Sequence, residues 1–130
     1  MKWIALTCSL FLPLLTICQS HSQDHKKHTE NLVNPIPRTI VNIKKGKEVF
    51  IHHCASCHGK KGRGDGIGGI TLDKPPADFQ RSIQDKSDAD LYWEIALGKK
   101  PMREYEDVFK DKEIWNVINY IRSLSNDSVK

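Results

Sequence analysis

The sequence predicts a small all-α domain, and three observations support this. Apolar residues recur at helical spacing in three segments, and no long alternating pattern typical of strands accompanies them. Long loops rich in glycine and proline separate the segments, which is unusual in a compact domain unless the loops serve a function. The chain of 130 residues has the length of one domain. We expect that domain to span residues 41–126, with residues 127–130 as a short tail.

The first predicted helix covers residues 42–53, and Asn42 suits the N-cap position. Glycine is unfavourable inside a helix. Gly46 therefore predicts that another backbone or ring approaches this helix closely. Residues spaced along one helical face are Gly46, Val49, Phe50 and His53.

The second predicted helix covers residues 88–97. Ser87 and Asp90 form a capping-box pattern, with Asp in place of the usual Glu or Gln. Gly98 provides a stop signal after the last turn. The apolar faces come from Leu91, Ile95 and either Tyr92 or Trp93.

The third predicted helix covers residues 111–124. Asp111 suits a cap at its start, and Arg122 suits the negative end of the helix dipole. The pattern predicts a strongly amphipathic helix. Its apolar stripe consists of Ile114, Val117, Ile118, Ile121 and Leu124, widened by Trp115.

The run Cys54-Ala55-Ser56-Cys57-His58 has the C-x-x-C-H pattern of a covalent haem attachment site. Two thiols in this spacing can add to the vinyl groups of one haem, and the histidine that follows can bind the iron. Zinc sites and thiol–disulfide enzymes share C-x-x-C alone. A thioredoxin-like protein is disfavoured, because no alternating strand–helix pattern surrounds Cys54.

Residues 1–20 are typical of an export signal. Met1 and Lys2 form a short positive start, and residues 3–17 are almost wholly apolar. That stretch is short for a membrane-spanning helix and matches the apolar region of a signal peptide better. Cleavage after Ser20 would fit the small residues at this point.

A lipoprotein-type signal that ends at residue 17 is the alternative. Residues 15–18 resemble a bacterial lipobox, although Ile17 departs from the small residue usual at its position. Cys18 would then carry the lipid. Residues 21–40 form a polar, histidine-rich segment, which predicts a solvated tether more strongly than a metal site. The run Asn34-Pro35-Ile36-Pro37 should keep the end of this segment non-helical.

Residues 44–124 resemble a class I mono-haem c-type cytochrome of the bacterial cytochrome c domain family. The pieces that carry the resemblance are Gly46–Phe50, Cys54–Gly59, Gly62–Gly66, Pro76–Phe79, Gly98–Met102 and Trp115–Ile121. The resemblance implies a small cytochrome c fold, with three main helices and long loops wrapped around one covalent haem c. It also implies export to the periplasm, because bacteria attach such haems outside the cytoplasm.

By this resemblance, Cys54 and Cys57 attach the haem, while His58 and Met102 bind its iron. Met102 is the only methionine besides Met1, and it lies in the loop after the second helix. Methionine also fills gaps in cores. The family often has proline after this methionine, whereas Arg103 follows here.

The resemblance makes further expectations about the surroundings of the haem. His58 should donate its second ring proton to a carbonyl near Pro75 or Pro76. Gly46 should accept the ring of Tyr120 or a neighbour, with Phe50 beside it. Two residues are candidates for the haem wall or for ordinary core packing, Leu72 and Phe79. His52 and His53 are unsuited to axial ligation, because they lie on the helix before the motif and not across the haem ring.

His–Met ligation fills both axial positions of the iron and raises its potential. We therefore expect a carrier of single electrons and no enzyme, with no open catalytic site. A haem-bearing relay subunit of a larger oxidoreductase is the alternative, followed by an open-site enzyme or sensor. The sequence itself does not separate a carrier from a relay subunit.

The formal net charge of +4 is too mild to indicate nucleic-acid binding. The partners implied are a redox donor and a redox acceptor. Contact with a membrane is implied only through lipidation of Cys18. Two groups of basic residues suggest a basic rim round the exposed haem edge that steers acidic redox partners, although an ordinary solvated surface would look the same. They are Lys60, Lys61 and Arg63, and Lys99, Lys100 and Arg103.

Overall fold

The computed structural model describes residues 32–126, and within this range it is all-α with no strand. Its five helices are α1 (Ile40–His53), α2 (Ala55–His58), α3 (Phe79–Ser82), α4 (Asp88–Ala96) and α5 (Asp111–Asn126). The all-α prediction is confirmed, and the two four-residue helices α2 and α3 are additions to it. None of the helices within 32–126 has the length and apolarity needed to cross a bilayer. The predicted signal, Cys18, the first part of the predicted tether and the tail lie outside the described residues.

Helix α1 begins two residues earlier than its sequence pattern suggests. Thr39 is the N-cap, with extended backbone, and its hydroxyl accepts a hydrogen bond from the Asn42 N–H at 3.3 Å. The Asn42 side chain instead donates to the Pro37 carbonyl at 2.9 Å. The prediction of Asn42 as the cap was wrong, because Thr39 satisfies the same end of the helix one turn earlier.

Helices α1 and α5 make the most extensive helix–helix contact in the described part of the chain. They meet at Gly46, where an added Cβ atom would lie 1.8 Å from the backbone oxygen of Asn116. The predicted close approach is present, but it is made by backbone. Contact of the Tyr120 ring with Gly46 stays a prediction. Its expected packing beside the buried Phe50 ring is confirmed, with ring centroids 5.1 Å apart.

Helix α4 begins with the predicted capping box. The Ser87 hydroxyl accepts the Asp90 N–H at 3.1 Å, and the Asp90 carboxylate accepts the Ser87 N–H at 2.9 Å. The helix ends at Ala96, one residue before the predicted end. Gly98 follows with a φ of +67°, a backbone conformation that favours glycine.

Helix α5 begins at Asp111 and extends two residues beyond its predicted end. Asp111 is the first helical residue rather than the cap before it, and its carboxylate accepts the Tyr92 hydroxyl at 2.8 Å. The Glu113 carboxylate accepts the Lys110 N–H at 2.9 Å. The predicted apolar stripe is buried and forms much of the core.

Arg122 joins α5 to the segment that leads into α4. Its guanidinium donates to the carbonyls of Ile83 and Lys86 at 2.7 and 2.5 Å and pairs with Asp88 at 2.8 Å. This cross-link replaces the helix-dipole role predicted for Arg122.

Residues 32–37 pack against α5, although they belong to the segment predicted as a solvated tether. Asn34 donates to the Asn119 side chain at 3.2 Å, and Asn119 donates to the Ile36 carbonyl at 3.1 Å. Leu32 and Ile36 also contact the core. The segment is non-helical, as the proline pattern predicts.

Candidate functional site

The C-x-x-C-H run lies at the end of α1 and forms the short helix α2. Cys54 caps α1, and its N–H donates to the Phe50 carbonyl at 2.9 Å. The His58 N–H donates to the Cys54 carbonyl at 2.9 Å, and Gly59 ends the turn with a φ of +76°. Helical winding therefore fixes the spacing of the two thiols and the imidazole.

A cavity of about 620 Å³ adjoins this run. Its size is typical of a cofactor site. All four predicted site residues line it, namely Cys54, Cys57, His58 and Met102. Both candidate wall residues, Leu72 and Phe79, line it as well. The structure thus brings together residues that are up to 48 positions apart.

The imidazole of His58 lines this cavity. Burial lowers the pKa of His58, and an interaction with the Ala77 backbone carbonyl opposes that lowering. The ring stacks on Phe79, with centroids 4.7 Å apart. Its Nδ1 atom is buried without a hydrogen bond of normal geometry. The nearby carbonyl belongs to Ala77, next to Pro76, while the proton donation itself stays a prediction.

The two cysteines are free thiols and partly buried. Burial, followed by the nearby Cys57, raises the pKa of Cys54 from 9.0 to about 12. A raised pKa disfavours the thiolate on which thiol–disulfide enzymes depend.

Met102 lies half-buried in the loop between α4 and α5. Its N–H donates to the Lys99 carbonyl at 2.8 Å, which closes a tight turn. The guanidinium of Arg103 lies 5.0 Å from the centre of the Tyr105 ring, and the Tyr105 hydroxyl donates to the His53 carbonyl at 3.0 Å. Arg103, where the family often has proline, thus contacts a residue that connects this loop to the end of α1.

His52 and His53 are both exposed. His53 lines the cavity, and its ring packs edge-on against Phe109 with centroids 5.0 Å apart. His52 is thus exposed to solvent, while His53 packs at the edge of the cavity.

The loop of residues 59–70, hereafter the 59–70 loop, makes backbone contacts with the motif that the sequence did not predict. Its glycines donate to the carbonyls of the motif itself. Gly64 donates to His58, Gly66 to Cys57 and Gly68 to Ser56, at 2.9, 3.2 and 2.9 Å. The spacing of its glycines was the available signal, because only a bare backbone can lie so close to another backbone.

Comparison with known proteins assigns the family. The family model for cytochrome c matches residues 43–125. The chain belongs to the cytochrome c family. Among solved structures, this cytochrome c domain is similar to a chain of the Kuenenia stuttgartiensis reducing HAO-like protein complex Kustc0457/Kustc0458. The TM-score is 0.62 at 27% identity, over 72% of this chain and 49% of the other, so the match spans about half of that chain. No curated protein matches.

The cofactor of this cytochrome c domain is one covalently attached haem c, and the cavity fits such a group. It offers two thiols, the imidazole of His58 and a thioether sulfur. Basic side chains at its lining outnumber the single carboxylate of Glu94, which suits the two propionates of a haem. These basic residues are Lys74, Lys86, Lys99, Lys100 and Arg103.

Proposed function

We propose that this cytochrome c domain carries single electrons between redox proteins. Cys54 and Cys57 would hold the haem c as thioethers, and His58 and Met102 would be the axial ligands of its iron. The observation that supports this most is that all four side chains line one cavity. When bound, haem iron with these two ligands supplies reversible one-electron chemistry at a raised potential.

The protein's part is to hold the ligands and exclude water. Phe79 stacks on His58, so the imidazole has a restricted orientation. The Lys99–Met102 turn restricts the thioether of Met102. Apolar residues of α4 and α5 line the same cavity and keep its interior dry, including Leu91, Ile95, Val117 and Ile121. Rigid ligands let an iron change its charge with little movement, which suits electron transfer.

A reversible redox titration and a carbon monoxide assay test this proposal together. The haem-loaded chain should show a single one-electron transition, and its reduced form should not bind carbon monoxide, because both axial positions are filled. Rapid carbon monoxide binding by the unmodified protein would contradict the proposal. It would favour the open-site enzyme or sensor instead.

A relay subunit of a larger oxidoreductase is the second candidate. It draws on the similarity to a chain from the Kuenenia stuttgartiensis complex, which is described as a protein complex. Purification of the chain at its native level distinguishes the two. A stable association with a larger redox subunit would favour the relay role, and recovery of the chain alone would favour the free carrier.

We also propose that the chain is exported and acts in the periplasm, either soluble or anchored through Cys18. The apolar run of residues 3–17 supports export. Cell fractionation and the mass of the mature N-terminus test it. Cleavage after Ser20 would indicate the soluble form, a lipid on Cys18 the anchored form, and an intact Met1 in the cytoplasm would contradict export.

A further inference from the structure

The loop that carries Met102 is closed by contacts between its own backbone atoms. At its start, an added Cβ atom on Gly98 would lie 2.6 Å from the carbonyl carbon of Arg103. Within it, the Met102 N–H donates to the Lys99 carbonyl at 2.8 Å. Backbone atoms cannot give way as the end of a flexible side chain can. Residues 98–104 therefore form one compact unit, hereafter the Met102 loop.

Tyr105 directly follows the Met102 loop and joins it to α4. Its N–H donates to the carbonyl of Ala96, the last residue of that helix, at 2.9 Å. Its ring is buried and lies parallel to the ring of Phe109, with centroids 4.9 Å apart. A backbone hydrogen bond and a stacked ring together fix the direction in which the phenol hydroxyl of Tyr105 points.

The same hydroxyl connects the Met102 loop to the end of α1, where it donates to the His53 carbonyl at 3.0 Å. Regular helical winding would direct the Cys57 N–H to this carbonyl. That N–H donates to the Cys54 carbonyl at 3.2 Å instead, because the winding changes between α1 and α2. The last carbonyls of a helix need partners from outside it. Tyr105 provides one beside the first residue of the attachment motif.

We propose that Tyr105 is a positioning residue that keeps Met102 on the haem iron, because its hydroxyl ties the Met102 loop to the segment that holds the haem. The inference rests on the proposed axial role of Met102 and deepens it. His53 directly precedes Cys54, and these two residues line the same cavity as Tyr105 and Met102. A competing ligand reaches the iron only after Met102 has moved away, and the hydrogen bond opposes that movement. Loss of the bond raises the fraction of molecules whose axial position is open.

Arg103 gives a reason why this chain depends on such a contact. The proline that the family often has at this position would restrict the residue before it to extended backbone. Arg103 imposes no such restriction on Met102. Its guanidinium lies over the Tyr105 ring, 5.0 Å from the ring centre. Side-chain contacts through Tyr105 thus take the place of the restriction that a proline would impose on the backbone.

Titration of the oxidised, haem-loaded protein with imidazole tests the proposal. The weak deep-red band from sulfur to iron disappears as imidazole displaces Met102, so its loss measures the exchange of ligands. Tyr105→Phe removes the hydroxyl alone, and it should bind imidazole about fivefold more tightly than the unmodified protein does. This factor corresponds to about 1 kcal/mol, the net contribution of one hydrogen bond. Before imidazole is added, the variant should still show the band.

Tyr92→Phe is the matched control. The Tyr92 hydroxyl donates to the Asp111 carboxylate at 2.8 Å and so connects α4 to α5, but Tyr92 is not among the residues that line the cavity. Each variant loses one phenol hydrogen bond between two parts of the fold, so denaturant unfolding should show similar losses of stability. The imidazole affinity should change in Tyr105→Phe alone. Equal imidazole affinities in the two variants would overturn the proposal, because the Tyr105 hydroxyl would then support only the fold.

The spectrum of the unmodified protein distinguishes a failure of this proposal from a failure of the one on which it rests. An absent deep-red band would mean that Met102 is not a ligand, and it would overturn the proposed ligation together with the role of Tyr105. If the band is present and Tyr105→Phe binds imidazole as the unmodified protein does, the role of Tyr105 alone is overturned. The proposed carrier function would then stand.

Discussion

Gly46 of α1 lies directly on the backbone of Asn116 in α5. A Cβ atom at position 46 would be 1.8 Å from the Asn116 oxygen and 2.4 Å from its carbon. Backbone atoms cannot give way as the end of a flexible side chain can. This contact sets how closely the two helices cross, and α5 also supplies Val117 and Ile121 to the cavity wall.

The first prediction concerns this crossing. Gly46→Ala should lower the free energy of unfolding by about 3 kcal/mol, because the added methyl group forces the helices apart. Denaturant unfolding followed by circular dichroism measures it. Lys47→Ala, at an exposed position on the same helix, is the control and should stay within about 0.5 kcal/mol of the unmodified protein. A Gly46→Ala variant as stable as this control would contradict the packing described.

The second prediction concerns Arg122. Arg122→Met should lower the free energy of unfolding by about 2 kcal/mol. The carbonyls of Ile83 and Lys86 lose their hydrogen-bond donor, and Asp88 loses its ion-pair partner. Arg122→Lys should recover only part of this, since an ammonium group lacks the planar fork of a guanidinium.

Arg81→Met provides the control for the arginine prediction. The Arg81 side chain is 88% exposed and pairs with Asp78 at 3.4 Å. Exposed ion pairs contribute little, so unfolding experiments should show a change below about 0.5 kcal/mol. Similar losses of stability in the two arginine variants would contradict a stabilising role of the Arg122 cross-link.

The third prediction concerns acid sensitivity at the start of α4. Hydrogen bonds from the side chain and backbone of Ser87 lower the pKa of Asp90 below its ordinary value of 3.8. A lowered folded-state pKa contributes stability that is complete above the unfolded-state pKa and is lost as pH falls through the folded-state pKa. This contribution to stability should therefore begin to decline as the pH falls below about 4, and it should be lost once the pH is below the folded-state pKa.

Ser87→Ala tests this capping box. It removes the hydroxyl, so the pKa of Asp90 should move back toward its ordinary value. The free energy of unfolding should fall by about 1 kcal/mol at neutral pH. Nuclear magnetic resonance titration of the Asp90 carboxyl group gives the pKa directly. An unchanged pKa in the variant would show that the hydroxyl does not stabilise the carboxylate.

The fourth prediction concerns covalent attachment. In cells that mature c-type cytochromes, Cys54→Ala/Cys57→Ala should yield a chain whose haem is removed by denaturation, because neither thioether can form. Mass spectrometry of the denatured protein measures the haem that stays bound. Ser56→Ala, which changes the exposed residue between the two thiols, should keep its haem. Retained haem in the double cysteine variant would remove these thiols from the attachment site.

Local patterns predicted the parts of the fold that depend on neighbouring residues. Ser87, Asp90 and Gly98 define the ends of α4 through contacts within a few positions, so their roles could be read from the sequence. Asn42 shows the limit of this reasoning, because Thr39 offered an equivalent cap one turn earlier. The short helices α2 and α3 lack enough periodicity to be predicted.

Several contacts between residues far apart in the chain could not be predicted from the sequence. Arg122 meets Ile83 and Asp88 only after α5 has packed, and the 59–70 loop reaches the motif carbonyls only in the folded chain. For the site, the C-x-x-C-H spacing and the position of Met102 predicted residues that the cavity brings together. Their roles as attachment points and ligands stay predictions.

The most direct test of the account is the optical spectrum of the haem-loaded protein and of Met102→Ala in both oxidation states. The unmodified protein should show sharp low-spin bands when reduced and the weak deep-red band from sulfur to iron when oxidised. Met102→Ala should keep its covalent haem, lose the deep-red band and have a lower potential. Leu72→Ala, at another half-buried position on the cavity, should keep the band. A band that persists without Met102, or is absent from the unmodified protein, would contradict His58–Met102 ligation.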